Sequence, residues 1–221
     1  MHRPESISYN PEKVRRLHQM VRQGEGLHLE FKRKASFPVK ITREIIAFAN
    51  TDGGTLLIGV DDDGSIAGVK YPEEESLEIR LALRKHCRPG VVFHESIYPV
   101  SEKKFVLEWT IPQSKNRPHF FVADGQKTAF VRKQDQSITA SKEMCEVIRH
   151  SKSSKGTHLQ YGVGEESIVH YLHKHHSASL GDIIQATGLK LPVASHKVVK
   201  LVLAGILTLT PTEKGDVFAL A

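Results

Sequence analysis

The sequence predicts an α+β fold with a mixed or antiparallel sheet and flanking helices, followed by a small C-terminal winged helix-turn-helix unit. Three observations lead there. The first is a helix, glycine turn and strand in succession. Ile41, Ile45, Ile46, Phe48 and Ala49 fall at helical spacings, Asn50 to Gly54 ends the helix, and Thr55 to Val60 is a short apolar run suited to a buried strand. The second is a series of strand-like stretches at about Val91 to Tyr98, Lys103 to Ile111 and Thr128 to Lys133. The third is a helix-helix-helix-hairpin order over the last 60 or so residues.

In chain order, Asn10-Pro11 suits a helix start, and Val14, Leu17 and Val21 give that helix one apolar face before Gly24. Leu27 to Lys32 alternates, so Leu27, Leu29 and Phe31 face a core and His28, Glu30 and Lys32 face away. Asp61 to Gly64 is a hairpin-turn signal, with Ser65 to Val69 as the returning strand. Pro72 with Glu73, Glu74 and Glu75 opens a helix that runs to about Cys87. Ser141 caps a helix to His150. Ser151 to Gly156 is polar and without apolar period, which suggests a linker. The predicted organisation is therefore a first domain at 1–150, a linker at 151–160 and a second domain at 161–221. In the second, helices are expected at Glu165 to His173, Leu180 to Gly188 and Pro192 to Ala204, with wing strands at Ile206 to Thr210 and Val217 to Leu220.

Composition narrows the function. Lys and Arg number 31 against 25 Asp and Glu, a net charge of +6. The bias is concentrated: Lys13 to Arg43 holds nine Lys or Arg against Glu25 and Glu30. A field of that kind can contact nucleic-acid phosphates, or can simply keep a surface solvated. Lys32, Arg33, Lys34, Lys40 and Arg43 are the candidate contacts. On the third helix of the C-terminal unit, His196, Lys197 and Lys200, with Ser195, form the polar side that would face a major groove.

The two cysteines, Cys87 and Cys145, are far apart and form no Cys-x-x-Cys pair, which argues against a cysteine zinc site and for reduced thiols. Asn50 to Gly54 could present backbone N–H groups to an anion or could be a turn that needs glycine. The sequence lacks the Gly-x-x-x-x-Gly-Lys-[Ser/Thr] loop of P-loop ATPases. No apolar run approaches membrane-spanning length, and the expected location is the cytoplasm.

A family resemblance adds to these readings. Glu25, Glu30-Phe31-Lys32, Phe48-Ala49-Asn50, Gly53-Gly54 and Ile58 to Gly64 resemble the signature of the Schlafen AlbA-type domain, with looser matches at Arg117 to Phe121, Ala129 to Arg132 and Ala140 to Glu143. The resemblance implies a nucleic-acid-binding protein, akin to a DNA-binding transcriptional regulator. Nuclease members of that family cut tRNA-like RNA with two glutamates and an aspartate. The glutamates match Glu25 and Glu30, and the aspartate best matches Asp61, with Asp62 next; Glu25, Glu30 and Asp61 would then be catalytic residues holding Mg²⁺ or Mn²⁺. A homodimer would rebuild the two-lobed clamp of such nucleases from one lobe per chain. A protein-interaction adaptor is the remaining alternative.

Overall fold

The computed structural model describes residues 11–151 and 161–221. Asn10 and nearly all of the expected linker, with Lys152 and Lys155, lie outside the described residues. Contacts divide the chain into two compact units that part between Ser137 and Ile138. The helix at Lys142–His150 thus belongs with the C-terminal unit, whereas the sequence reading had placed it in the first domain.

The first unit begins with α1 (Pro11–Gln23), β1 (Leu29–Lys32), α2 (Pro38–Asn50) and β2 (Gly54–Ile58). It continues through α3 (Pro72–His86), β3 (Cys87–Arg88), β4 (His94–Ser101) and β5 (Lys104–Ile111). Four short strands close it: β6 (Phe120–Ala123), β7 (Gln126–Thr128), β8 (Phe130–Lys133) and β9 (Gln136–Thr139), the last reaching just past the division between the units. The main sheet has the order β1-β2-β5-β4 and is mixed: β1 runs parallel to β2, and the other pairs are antiparallel. β3, β6 and β7 form a second sheet, and β8 pairs with β9.

Strand alternation sorts the core onto two faces. Leu56, Ile58, Leu107, Trp109 and Ile111 pack with Ile41, Ile45, Phe48 and Ala49 of α2 and Ile79 and Leu83 of α3. Leu29, Phe31, Leu57, Val60 and Val106 pack on the opposite face with Leu17 of α1. Helices α1 and α2 therefore lie on opposite sides of the sheet. The expected return strand at Ser65 to Val69 does not form. Val60 and Ile66 make one isolated bridge, and Val69 bridges Phe105 instead.

The C-terminal unit contains α4 (Lys142–His150), α5 (Val163–His175), β10 (Ser177–Ser179), α6 (Leu180–Thr187), α7 (Leu191–Leu203), β11 (Leu207–Thr210) and β12 (Val217–Leu220). Its sheet has the order β10-β12-β11. Ser141 caps α4 by accepting the Met144 N–H, and Gly188 ends α6 in the left-handed conformation that glycine tolerates best. Ile168, Leu172, Ile183, Val198, Leu201 and Phe218 make the core.

Candidate functional site

β1 turns Glu30 and Lys32 toward the α2 side of the sheet, because Leu29 and Phe31 take the other side. There they join Glu44 of α2 and Arg132 of β8. Arg132 is 1% exposed at its side chain and donates from Nη1 to Glu30 Oε2 at 2.9 Å. Its Nη2 donates to the Gly26 carbonyl at 2.7 Å, and its guanidinium lies over the Phe48 ring at 4.6 Å. Lys32 donates to Glu30 Oε1 and to its neighbour's carbonyl, Phe31 O, and stands 3.5 Å from Glu44. Glu25 accepts the Phe31 N–H at 2.8 Å.

One ammonium thus serves three carboxylates, and the electrostatics follow. Burial works against the charge of Lys32, but Glu44, Glu30 and Glu25 outweigh it and raise its pKa. Glu44 gets the weakest share. Burial pushes its carboxyl up to about 7, and Lys32 only partly opposes this. Its Oε2 is buried without a hydrogen-bond partner, as is Nε of Arg132. Seen from Lys32 the pair favours charge, and from Glu44 it does not. The difference is physical, because the lysine's closest contact is Glu30. Glu25 is also raised, by burial first and then by the negative charges of Glu30 and Asp62.

The expected catalytic and metal-binding set of Glu25, Glu30 and Asp61 does not assemble as a metal centre. Both oxygens of Glu30 face cations, and Asp61 belongs to the turn. Its backbone N–H and carbonyl bind Ser65 and Gly64, while its carboxylate accepts from the Ser65 hydroxyl and lies 3.5 Å from Arg33 Nε. Asp63 accepts the Ser65 N–H, which lowers its pKa. Among the described residues, no group of three or more His, Cys, Asp or Glu is arranged to hold a metal ion. The residues present do not fit Mg²⁺ or Mn²⁺, whose hard coordination shell needs several free oxygens.

The cationic stretch is likewise divided. Lys32 is inside the ionic cluster. Arg16 pairs with the buried carboxylate of Glu108 at 3.0 Å, and Tyr98 donates its hydroxyl to the same carboxylate. Arg15, Arg16 and Arg22 are carried by α1, across the sheet from α2. Lys34, Lys40 and Arg43 remain exposed on the β1–α2 connection and on α2, without an acidic partner among the described residues. Arg43 lies over Phe121 at 4.8 Å and over Phe130 at 5.8 Å, and Lys40 lies over Phe37 at 5.2 Å. Arg33 is 72% exposed at its side chain and, among the described residues, holds only its contact with Asp61.

The turn at Asn50 to Gly54 is explained by packing. Asn50 donates to the carbonyls of His119 and Phe130, both at 2.9 Å, and accepts the His119 N–H at 2.7 Å. Gly53 has φ +78°, and a Cβ there would stand 2.7 Å from the Ile111 carbonyl oxygen. At Gly54 a Cβ would stand 2.2 Å from the Phe48 ring. Gly53→Ala is therefore expected to lower stability by about 2 kcal/mol in urea unfolding, from strain and overpacking together. An unchanged midpoint would contradict this account of the turn.

In the C-terminal unit, Lys197 is tied to Glu165 at 2.6 Å and its side chain is only 23% exposed. Ser195 donates to Glu143 of α4. The polar side of α7 is thus partly engaged within its own unit. His196 is exposed and Lys200 half-buried.

Sequence reasoning missed Glu44 and the role of Arg132. Glu44 stands directly before Ile45 and Ile46 on a helix whose face Ile41, Ile45 and Phe48 already define as inward. A charge beside that face was the available signal.

A mixed four-stranded sheet, covered by helices on both faces and locked at one edge by a buried ionic cluster, defines the first unit as an α+β domain. The chain belongs to the Schlafen AlbA_2 family, whose model matches residues 25–141. Among solved structures, the N-terminal domain of a RecG-related protein from Nitrosomonas europaea is similar, with a TM-score of 0.43 and 20% identity over 66% of this chain and 98% of that one. The DIP2311 protein from Corynebacterium diphtheriae has a TM-score of 0.45 and 13% identity over 88% of this chain, which matches only 34% of that longer protein. No helix among the described residues is long and apolar enough to cross a membrane.

Proposed function

We infer that the protein binds nucleic acid, in a role like that of a DNA-binding transcriptional regulator, and that Lys34, Lys40 and Arg43 are its main phosphate contacts. The observation that carries this reading is their state: exposed, close in the chain, and free of acidic partners among the described residues. Arg33 assists from beside them. Lys32 stabilises the fold. The order α5-β10-α6-α7-β11-β12, with its three-stranded sheet, supports reading the second unit as a winged helix. Within it, His196 and Lys200 are the residues placed for a further contact.

Fluorescence anisotropy with duplex DNA, single-stranded DNA and tRNA, over a range of salt, tests the reading. The Lys34→Ala/Lys40→Ala/Arg43→Ala variant should bind every sequence more weakly. It should reduce the slope of log K against log salt by about 2–3, since each lost phosphate contact removes about 0.7–0.9. Binding that keeps its wild-type slope would overturn the assignment. Cleavage of tRNA appearing only with Mn²⁺ or Mg²⁺ would instead return the nuclease reading.

A further inference from the structure

A cavity of about 390 Å³ opens at the end of α3, lined by none of the cations assigned above. Its wall carries Arg80 and Arg84, four residues apart on one face of α3, and Arg88 from the strand β3 that follows. Its apolar lining comes from Leu83, Val91 and Phe93. Beneath, Phe93 stacks on Trp109 with ring centroids 3.9 Å apart, and Arg80 lies over Phe93 at 4.9 Å.

The three guanidinium groups are unequally engaged. Arg80 donates from Nε to Ser76 and from Nη2 to Glu95 at 2.6 Å. Arg88 donates from Nη1 to the Arg84 and Cys87 carbonyls at 2.8 and 2.7 Å, which fixes its plane. Arg84 has no side-chain partner among the described residues, and neither Arg84 nor Arg88 has an acidic one. Among the described residues, Glu95 is the one carboxylate that meets any of the three, through Arg80. The wall therefore keeps two uncompensated positive charges, with several N–H donors unassigned, beside an apolar surface. That combination suits a small anion attached to a flat or apolar body, and the cavity has the size of a small-molecule pocket.

We propose that this cavity binds the phosphate monoester of a nucleotide, with Arg84 and Arg88 holding the phosphate and Leu83, Val91 and Phe93 receiving the attached nucleoside. The ligand is either a free mononucleotide or the phosphorylated end of a nucleic-acid strand. The proposal stands apart from the phosphate contacts of Lys34, Lys40 and Arg43, because it uses none of those residues.

Isothermal titration calorimetry of the full chain with AMP and with adenosine is the first test. AMP should bind and adenosine should not. Arg84→Ala/Arg88→Ala should weaken AMP binding by at least about tenfold, since charge-assisted hydrogen bonds are lost. Both side chains are exposed, and the unfolding midpoint verifies that the variant folds. Should it fail to fold, Arg84→Gln alone removes the unpartnered charge and serves the same comparison. A short oligonucleotide with and without a 5′-phosphate separates the sources. A preference for the phosphorylated strand that this variant abolishes marks a strand end, and AMP binding without that preference marks a free nucleotide. Equal AMP binding by wild type and variant, or adenosine binding as tightly as AMP, would overturn the proposal. The Lys34→Ala/Lys40→Ala/Arg43→Ala variant should titrate with AMP like wild type, so the two assignments fail separately.

Discussion

Arg132→Met is expected to destabilise the protein by about 3–5 kcal/mol, measured by urea unfolding at neutral pH. Methionine fills much of the same volume over the Phe48 ring, so the loss reports charge more than packing. Glu30 is 7% exposed and would keep only the ammonium of Lys32 on Oε1, which is already shared with Glu44 and Glu25. Its Oε2 would be left buried and charged with no donor, and the Gly26 carbonyl would lose its partner as well. The companion variant is Glu30→Gln/Arg132→Met. Removing the stranded charge should recover most of the loss, because a pair replaced together leaves less unsatisfied than a pair broken. Equal losses in the single and double variants would mean that Arg132 acts through packing on Phe48 and through Gly26 alone.

The cluster shows where sequence reading stops. Glu30 and Lys32 share one face of a short alternating strand, and alternation alone predicts that much. It cannot say that the face is buried. Burial is decided by Arg132, 102 residues further along, and by the packing of α2. The cationic stretch meets a related limit. Its nine Lys and Arg are close in the chain, yet α1 and α2 cover opposite faces of one sheet, and only sheet topology assigns those faces. Local signals fared better. The α2–β2 turn, the Ser141 cap and the glycine end of α6 depend on neighbouring residues and were readable. The strands β6, β9 and β10 are three or four residues long, too short for a periodic signal. The return strand after Asp61 was misplaced because the turn was right but its partner was not: Val69 pairs with Phe105 rather than with β2.

Glu44→Gln tests the same cluster through pH, and the expected sign is opposite to that of a stabilising carboxylate. The folded-state pKa of Glu44 lies above its ordinary value of 4.5, at about 7. Between those values the folded state binds more protons than the unfolded one, so stability falls as pH rises through the window. Below about 4.5 the group is protonated in both states and contributes nothing. Above about 7 the folded chain carries a buried carboxylate that desolvation opposes, at a cost of roughly 3 kcal/mol. Glutamine has the same shape and cannot ionise. The variant should therefore match wild type near pH 4.5 and exceed it by roughly 2–3 kcal/mol near pH 8, as read from urea midpoints across that range. Glu25 and Asp216 are also raised by burial and remain in both proteins, so they do not contribute to the difference. A variant less stable than wild type near pH 8 would show that Glu44 is ionised and firmly held by Lys32, with three acids sharing that lysine more evenly than their distances suggest. A gap in the predicted direction would instead establish a carboxyl that stays neutral below about pH 7 and ionises above it only at the cost of its burial, leaving Lys32 mainly to Glu30 and Glu25. It would also explain how one lysine and one arginine can serve a buried acid, Glu30, and two half-buried ones, Glu25 and Glu44.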